Sequence, residues 1–226
     1  FMSLNRGKES IALNLKNDDD KKIFDKILSK ADIFVENFKP GTLEKWGYGW
    51  KDVSKKYPKL IYASASGFGQ TGPLKELPAY DMVVQGMGGL MSVTGQPNSE
   101  PTRVGTSIGD ITAGLFTAIG INAALYDRQK TGKGMYIDVS MLDCQIAILE
   151  NAIARYLAKN EIPKPMGSRH PSIAPFEAFK TKDSHIIIAA GNDKLFEKLC
   201  NLLDMPEMTQ DSKFSNNSSR AINMDE

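Results

Sequence analysis

The first part of the chain alternates predicted strands with amphipathic segments, and this alternation constrains the fold more than any other feature. SIALNL (Ser10 to Leu15), DIFVEN and LIYASAS are predicted strands. Between the first two, DDDKKIFDKILSKA has an acidic first turn and apolar residues at helical spacing, which predicts an amphipathic helix. TLEKWG and WKDVSKKYP separate the second strand from the third. Strands that alternate with crossover helices predict an α/β fold with a parallel sheet.

The rest of the chain predicts long helices followed by a second, smaller α+β domain. Residues 67–105 are rich in Gly and Pro, which predicts loops of the kind that commonly bind ligands. One short apolar segment at 82–91 can be helical. Long helices are expected at about 110–130 and 140–160, joined by a short strand, MYIDV. EIPKPMGSRHP then marks a linker, and a strand pair and a helix follow. The predicted domains are 1–160 and an incomplete 161–226.

Composition limits the partners of the chain. Its 28 basic and 27 acidic residues give a net charge of +1, so no overall field favours nucleic acid or a membrane surface. An anionic ligand must therefore be held by local groups. No segment approaches the continuous apolar length of a bilayer span, and none resembles a signal peptide.

The cysteines and the chain ends give two further expectations. Cys144 and Cys200 lie far apart in apolar helical patterns, which is typical of buried thiols in a reducing compartment, and the cytoplasm is expected. The chain begins Phe1-Met2 rather than with an initiator methionine, so it is expected to be an internal piece of a longer polypeptide.

The motif GFGQTG, at residues 67–72, matches the glycine spacing of a dinucleotide-binding turn and follows a predicted strand. That turn must open a helix whose N-terminus meets the pyrophosphate. Pro73 and Pro78 follow instead, and no helical periodicity begins. A tight, backbone-exposed loop is therefore predicted. The two histidines, His170 and His185, are too isolated for a metal pair, and no metal site is expected.

Asp110 lies in SIGDITAG, between a glycine and a long run of small or apolar residues. One interpretation is an N-cap or first-turn residue of the helix that follows, a common position for aspartate. The other is an ionised nucleophile held by the helix N-terminus and glycine amides beside an apolar wall. Both can be true of one residue.

Several segments together resemble the class III CoA-transferases, the family that includes formyl-CoA transferase and the carnitine and bile-acid CoA-transferases. They occur in the order typical of the family and extend from Asn5 to Asp143: NRGKESIALNLK, ADIFVENFKPGTLEKWG, SASGFGQTGP, AYDMVVQGMGGLMSVTG, GTSIGDITAGL, AALYDRQKTGKG and IDVSMLD. The resemblance implies a Rossmann-like large domain that binds CoA, here without its first strand and helix, long linker helices and a smaller α+β domain. It also implies an intact protein that is an interlocked homodimer.

The resemblance implies that Asp110 is the catalytic nucleophile of an acyl-CoA:carboxylate CoA-transferase. Its carboxylate would attack the acyl-CoA thioester to give a mixed anhydride and then an aspartyl-CoA thioester, which the acceptor acid reopens. Both intermediates hydrolyse readily, so water must be excluded. Acyl-CoA and a small carboxylic acid are the implied substrates, and no permanently bound cofactor is expected.

The resemblance also places CoA contacts on three short segments of the chain and on Lys45. The implied residues are Leu13, Asn14, Leu15, Lys16, Asn37, Phe38, Lys39, Lys45, Pro78, Ala79, Tyr80 and Asp81. Lys39 and Lys45 are the expected phosphate partners. Without the resemblance, the two lysines are ordinary surface residues, and Leu13 and Leu15 are core residues of a strand.

Two departures from the family's patterns bear on specificity. The glycine run that closes over the acid in formyl-CoA transferase is replaced here by GSRHPSIAP. The 2-methylacyl-CoA racemases of the same fold carry Gly-His-Asp where this chain has Ala79, Tyr80 and Asp81, and a tyrosine, with an ordinary pKa of about 10, is a poor base near neutral pH. A transferase is therefore expected, and the alternatives are a racemase or a non-catalytic CoA-binding fragment.

Overall fold

The computed structural model describes residues 1–226, which divide into two compact units. Unit 1 comprises Phe1–Leu90 and Val104–Asn151, and unit 2 comprises Met91–Arg103 and Ala152–Glu226. The predicted domain boundary at residue 160 concerns the intact protein and stays a prediction.

Ten α-helices and five strands make up the chain, with short 3-10 helices at Met2–Leu4 and Pro206–Thr209. The helices are α1 (Asp18–Leu28), α2 (Thr42–Trp46), α3 (Trp50–Lys56), α4 (Asp81–Met87), α5 (Leu90–Val93), α6 (Ile108–Thr131), α7 (Met141–Ile148), α8 (Glu150–Lys159), α9 (Asp193–Leu202) and α10 (Asn217–Ile222). The strands are β1 (Ile33–Glu36), β2 (Ile61–Ser66), β3 (Tyr136–Ser140), β4 (Phe176–Lys180) and β5 (His185–Ala189).

Unit 1 is built on a parallel sheet in the order β1-β2-β3, as the alternating pattern predicts. β2 is the central strand, and five of its six residues are buried. Burying a large apolar side chain such as Ile61 stabilises the fold by about 1.5–3 kcal/mol. In unit 2, β4 and β5 pair as an antiparallel hairpin, which confirms the predicted strand pair.

The predicted amphipathic helix forms as α1. The side chain of Asn17 caps it by accepting a hydrogen bond from the Asp19 amide at 2.9 Å, and three aspartates in its first turn complement the helix dipole. Its apolar face packs into the core of unit 1, where Phe24 meets Tyr48 edge to face at 4.9 Å between ring centroids.

The predicted strand Ser10–Leu15 does not form. This segment contains no helix or strand, and Ile11 is 59% exposed. A strand needs a neighbouring strand to receive its backbone hydrogen bonds, and no strand of this chain lies beside it. Leu15 nevertheless packs against the core of unit 1. The alternating apolar residues of this segment therefore reflect partial burial and not pairing in a sheet.

The helix predicted at 140–160 is two helices, α7 and α8, which are separated at Leu149. The break lies next to the junction of units 1 and 2, which falls after Asn151. No proline or glycine marks the break in the sequence. Both cysteines are buried free thiols, as expected, and burial raises the pKa of Cys144 to about 11.

Helix α6 is long and apolar enough, by length and composition alone, to cross a membrane. Its 18-residue window has a mean hydropathy of 1.4, and 28% of that window is buried. The expectation that no segment approaches this length is therefore wrong. Gly, Thr and Asn residues interrupt the apolar run without stopping the helix, which continues to a left-handed Gly132 with φ of 68°. A core helix of a soluble protein passes the same test, so the finding is weak evidence for a membrane span.

Candidate active site

The three parallel strands end at the same edge of the sheet. β1 ends at Glu36, β2 at Ser66 and β3 at Ser140, and ligands of parallel α/β sheets bind at the carboxyl ends of their strands. A cleft of about 380 Å³ lies at this edge. It is lined by Phe68, Gly69, Thr71, Gly72, Pro73, Leu74, Asp138, Ser140, Leu142 and Asp143.

The GFGQTG segment is a loop and opens no helix, which confirms the sequence prediction. Gly69 and Gly72 have φ of 79° and 85°, a backbone conformation that favours glycine. The amide of Gln70 donates to both carboxylate oxygens of Asp138, at 3.1 and 3.0 Å. Burial raises the pKa of Asp138, and this amide opposes the shift. The loop is therefore anchored to β3.

Asp110 lies in the first turn of α6, with Ser107 at the N-cap position. It does not cap the helix, because its side chain accepts no hydrogen bond from the α6 amides. The Gly109 amide is bound instead by the Asp81 carboxylate of α4, at 2.7 Å. The Asp110 carboxylate is therefore left exposed and unpaired at a helix N-terminus.

Two effects raise the pKa of Asp110 above the ordinary aspartate value. Partial desolvation is the larger, and the nearby negative charge of Asp81 adds to it. A carboxylate with a raised pKa is more basic and a better nucleophile, provided that it stays ionised at the working pH. The structure thus confirms Asp110 as a first-turn residue of α6 and not its N-cap, and its role as a nucleophile stays a prediction.

The segment Pro78–Asp81 lies between the end of β2 and the start of α6. Ala79 packs so closely against Gly67 that its Cα would lie 3.2 Å from a Cβ added there. Asp81 reaches Gly109, and Tyr80, at the N-cap of α4, is 80% exposed. Of the predicted CoA-contact residues, this segment is the one that contacts the start of α6.

Asn37, Phe38, Lys39 and Lys45 lie beyond the end of β1 and are all exposed. The Phe38 amide donates to Glu36 Oε2 at 2.8 Å, and its ring meets Trp46 edge to face at 5.6 Å. The two lysines form no ion pair in the structure, so their charges are available to an anion.

The segment formed by Leu13, Asn14, Leu15 and Lys16 leads towards α1, with a turn at its last two residues. The Asn14 amide donates to Asp20 Oδ2 at 2.9 Å, and its side-chain oxygen accepts from the Lys16 amide at 3.1 Å. These contacts give the segment a structural role at the start of α1.

Two buried polar residues of unit 1 were not predicted from the sequence. Glu36 is 8% exposed at the end of β1, and burial raises the pKa of its carboxyl group. Gln85 is fully buried in α4, inside an otherwise apolar segment. The signal that could have found them is a polar side chain at a position where the apolar pattern predicts core.

Comparison with known proteins decides the family of the chain. The sequence profile described as CoA-transferase family III matches residues 1–226. The chain belongs to CoA-transferase family III. The resemblance stated from the sequence motifs is therefore confirmed.

Relatives in CoA-transferase family III match the whole chain but are longer. The acetyl-CoA:oxalate CoA-transferase of Acetobacter aceti is 48% identical over 100% of this chain and 58% of its own length. The human succinyl-CoA:glutarate CoA-transferase is 41% identical over 100% of this chain and 52% of its own length. The chain thus spans about half the length of these relatives.

A solved structure of the same family supports the fold. The crystal structure of a CAIB/BAIF family protein from Brucella suis is 42% identical and superposes with a TM-score of 0.83, over 98% of this chain and 58% of that one. The parallel sheet and the hairpin described above are thus those of a CoA-transferase family III fold.

Unit 2 carries the GSRHPSIAP segment, which the sequence analysis predicts to stand where formyl-CoA transferase has its glycine run. Asn217 in α10 accepts a hydrogen bond from the Ala174 amide at 3.2 Å and donates to the Ser172 carbonyl at 2.8 Å. Arg220 Nε donates to the Ala174 carbonyl at 2.8 Å. These hydrogen bonds hold the segment against α10, and all the residues that form them belong to unit 2.

Proposed function

We propose that the intact protein transfers CoA from an acyl-CoA to a free carboxylic acid, with Asp110 as the nucleophile. The observation that carries the proposal is the Asp110 carboxylate itself, which is unpaired, exposed and raised in pKa in the first turn of α6. Membership of CoA-transferase family III supports the reaction class.

The proposed reaction conserves the free energy of the thioester through two covalent intermediates on Asp110, a mixed anhydride and an aspartyl-CoA thioester. An Asp110 carboxylate oxygen attacks the acyl carbon, the C–S bond breaks, and a mixed anhydride and CoA thiolate form. The thiolate then attacks the Asp110 carbonyl carbon and releases the donor acid, which leaves an aspartyl-CoA thioester. The acceptor carboxylate reverses both steps with its own acyl group and regenerates free Asp110.

Water must not reach these intermediates, because the anhydride and the thioester both hydrolyse. Asp110 is exposed in this chain, so the proposal requires that it be covered in the intact protein.

The acceptor is proposed to be a small dicarboxylic acid. Oxalate and glutarate are named as substrates of the two relatives described above. CoA itself is proposed to bind along the carboxyl edge of the sheet, with Lys39 and Lys45 near its phosphates and residues 78–80 near its thiol end.

The intact protein is further proposed to be a homodimer with a Rossmann-like large domain. An exposed apolar stripe on α6 supports an interface, since contiguous apolar surface commonly marks a contact site. Its members Ile111, Leu115 and Ile119 are 46%, 59% and 62% exposed. Sedimentation of the intact protein tests the oligomeric state, and a monomer at micromolar concentration contradicts it.

Trapping of the acyl-enzyme tests the function directly. The intact protein is incubated with acyl-CoA, quenched with hydroxylamine and mapped by mass spectrometry, and a hydroxamate is expected at Asp110. Asp110→Asn should abolish both the adduct and CoA transfer to oxalate or glutarate. Asp127→Asn, at the other end of α6, is the matched control and should leave both unchanged. A hydroxamate at another carboxylate, or full activity of Asp110→Asn, contradicts the proposal.

A further inference from the structure

Two side chains of α4 hold the segment that precedes Asp110. The Asp81 carboxylate accepts from the Gly109 amide at 2.7 Å through Oδ1, and from Gln85 Nε2 at 2.8 Å through Oδ2. Gln85 Oε1 accepts from the Val104 amide at 2.9 Å. A continuous hydrogen-bond chain therefore joins both ends of residues 104–109.

The direction of these hydrogen bonds is fixed by chemistry. The amides of Val104 and Gly109 can only donate, so Gln85 must present its oxygen to one and Asp81 an oxygen to the other. Gln85 is fully buried, and water cannot replace a lost partner. The side-chain amide of Gln85 thus has one orientation that satisfies every group.

Close packing leaves the first turn of α6 little freedom to shift. A Cβ added at Gly109 would lie 2.7 Å from Val84 Cγ2, so α4 and α6 approach through a glycine. Helix α7 makes a second contact with this turn: Gln145 is fully buried and donates to Thr112 Oγ1 at 3.0 Å, and Thr112 donates to the Ile108 carbonyl at 2.7 Å. Asp110 is therefore carried on a turn that both α4 and α7 contact.

We propose that Asp81 and Gln85 are positioning residues that fix the backbone at Gly109 and so aim the Asp110 carboxylate at the acyl carbon. The inference rests on the proposed role of Asp110 as nucleophile. It assigns Asp81 to the geometry of the nucleophile rather than to CoA, because both carboxylate oxygens of Asp81 are already engaged by the protein.

Charge around Asp110 agrees with this arrangement. Partial desolvation is the larger cause of the raised pKa of Asp110, and Asp81 is the charged neighbour that raises this pKa further. Asp81 thus combines hydrogen bonding to the turn with electrostatic contact to the nucleophile.

A pair of variants of the intact protein separates positioning from binding. Asp81→Asn places an amide donor against either Gln85 Nε2 or the Gly109 amide, so one buried contact becomes donor against donor. Asp81→Asn/Gln85→Glu restores an acceptor for the new asparagine amide and for the Val104 amide. Asp127→Asn is the control, because it removes a carboxylate that lies about 25 Å from Asp110 along α6.

Single-turnover acylation of Asp110, acyl-CoA affinity and hydrogen exchange of the Gly109 amide are the readouts. Asp81→Asn should slow acylation by roughly tenfold to a hundredfold, as expected when a buried group loses its partner or a nucleophile is misplaced. Its acyl-CoA affinity should be unchanged, and its Gly109 amide should exchange faster. The double variant should recover most of the acylation rate, and it carries the test if Asp81→Asn does not fold.

Each contrary result has a distinct meaning. Absence of Asp110 acylation in the unmodified protein overturns the proposed function and, with it, the catalytic meaning of the α4 contacts. Acylation in the unmodified protein with an unaltered rate in Asp81→Asn overturns only the positioning role. If Asp81→Asn binds acyl-CoA more weakly but is acylated at an unaltered rate, Asp81 is a CoA contact and the inference is refuted. The inference is also refuted if the double variant folds but is acylated as slowly as Asp81→Asn.

Discussion

Alanine at Gly109 is expected to destabilise unit 1, whereas alanine at Gly114 on the same helix is expected to stabilise it. Neither glycine has a left-handed backbone, so both positions accept an alanine conformation. The difference lies in the space around the added methyl group. At Gly109 it meets Val84 Cγ2 at 2.7 Å and Asp81 Oδ1 at 3.0 Å, whereas nothing lies within 4 Å of it at Gly114.

The expected magnitudes follow from three opposing contributions. Alanine in a helix is more favourable than glycine by up to about 1 kcal/mol. Overpacking a buried contact costs about 1–3 kcal/mol, and Val84, being fully buried and β-branched, cannot turn aside easily. Weakening the Asp81 hydrogen bond costs about 1 kcal/mol more. Gly109→Ala should therefore lose about 1–3 kcal/mol, and Gly114→Ala should gain up to about 1 kcal/mol.

Gly120 provides an intermediate position on α6. Its added methyl group would lie 3.0 Å from Ile137 Cγ2, a contact that small movements can relieve. Gly120→Ala is therefore expected to change the free energy of unfolding little, because the helix gain and the packing cost are similar.

Urea unfolding followed by tryptophan fluorescence measures these changes in the appropriate unit. Both tryptophans of the chain, Trp46 and Trp50, lie in unit 1 with α6. The midpoints should rank Gly114→Ala above the unmodified protein and Gly109→Ala below it, with an unchanged denaturant dependence. Equal stability of the two variants would refute the reasoning that α4 leaves no room beside Gly109.

Three further predictions concern the site. Lys39→Ala or Lys45→Ala should weaken CoA and acyl-CoA binding by about 1.5–3 kcal/mol, less if the contact is wet, and leave the dependence on the free acid unaltered; unchanged calorimetric affinity makes them surface residues. NMR should detect no solvent deuterium at the α-carbon of 2-methylacyl-CoAs, because Tyr80 stands where racemases have histidine; rapid exchange without an acceptor acid would favour a racemase. Glu36→Gln should raise thermal stability at neutral pH, because burial raises the Glu36 pKa above its ordinary 4.5 and so makes the ionised form unfavourable in the fold. The stability tied to that raised pKa is present below pH 4.5 and lost as pH rises through the raised value, so the variant's advantage should vanish in acid; an equal advantage at both pH values contradicts this cause.

Sequence patterns predicted most of the secondary structure because the relevant interactions are local. Helix α1 depends on Asn17, the aspartates beside it and apolar residues three or four positions apart, all within one short segment. The GFGQTG loop was predicted for the same reason, since Pro73 follows it directly. The prediction of one continuous helix at 140–160 was wrong, because no proline or glycine near Leu149 marks the end of α7.

The family motifs predicted the candidate site in outline, but not its contacts. Asp110 was singled out by its motif, and whether it caps α6 stayed open, because a cap and a nucleophile occupy similar positions in sequence. The structure places the capping carboxylate on Asp81, which lies 28 residues from Gly109. No sequence periodicity spans that separation.

The sequence by itself determined the α/β alternation, the family motifs and the position of Asp110 at the start of an apolar helix. The tertiary structure alone decided which strands pair, so that Ser10–Leu15 stays outside the sheet of this chain. It also decided that Asp81 and Gln85 hold the turn before Asp110. Helix and turn signals act between near neighbours, whereas strand pairing and buried hydrogen bonds depend on which distant segments the packed core brings together.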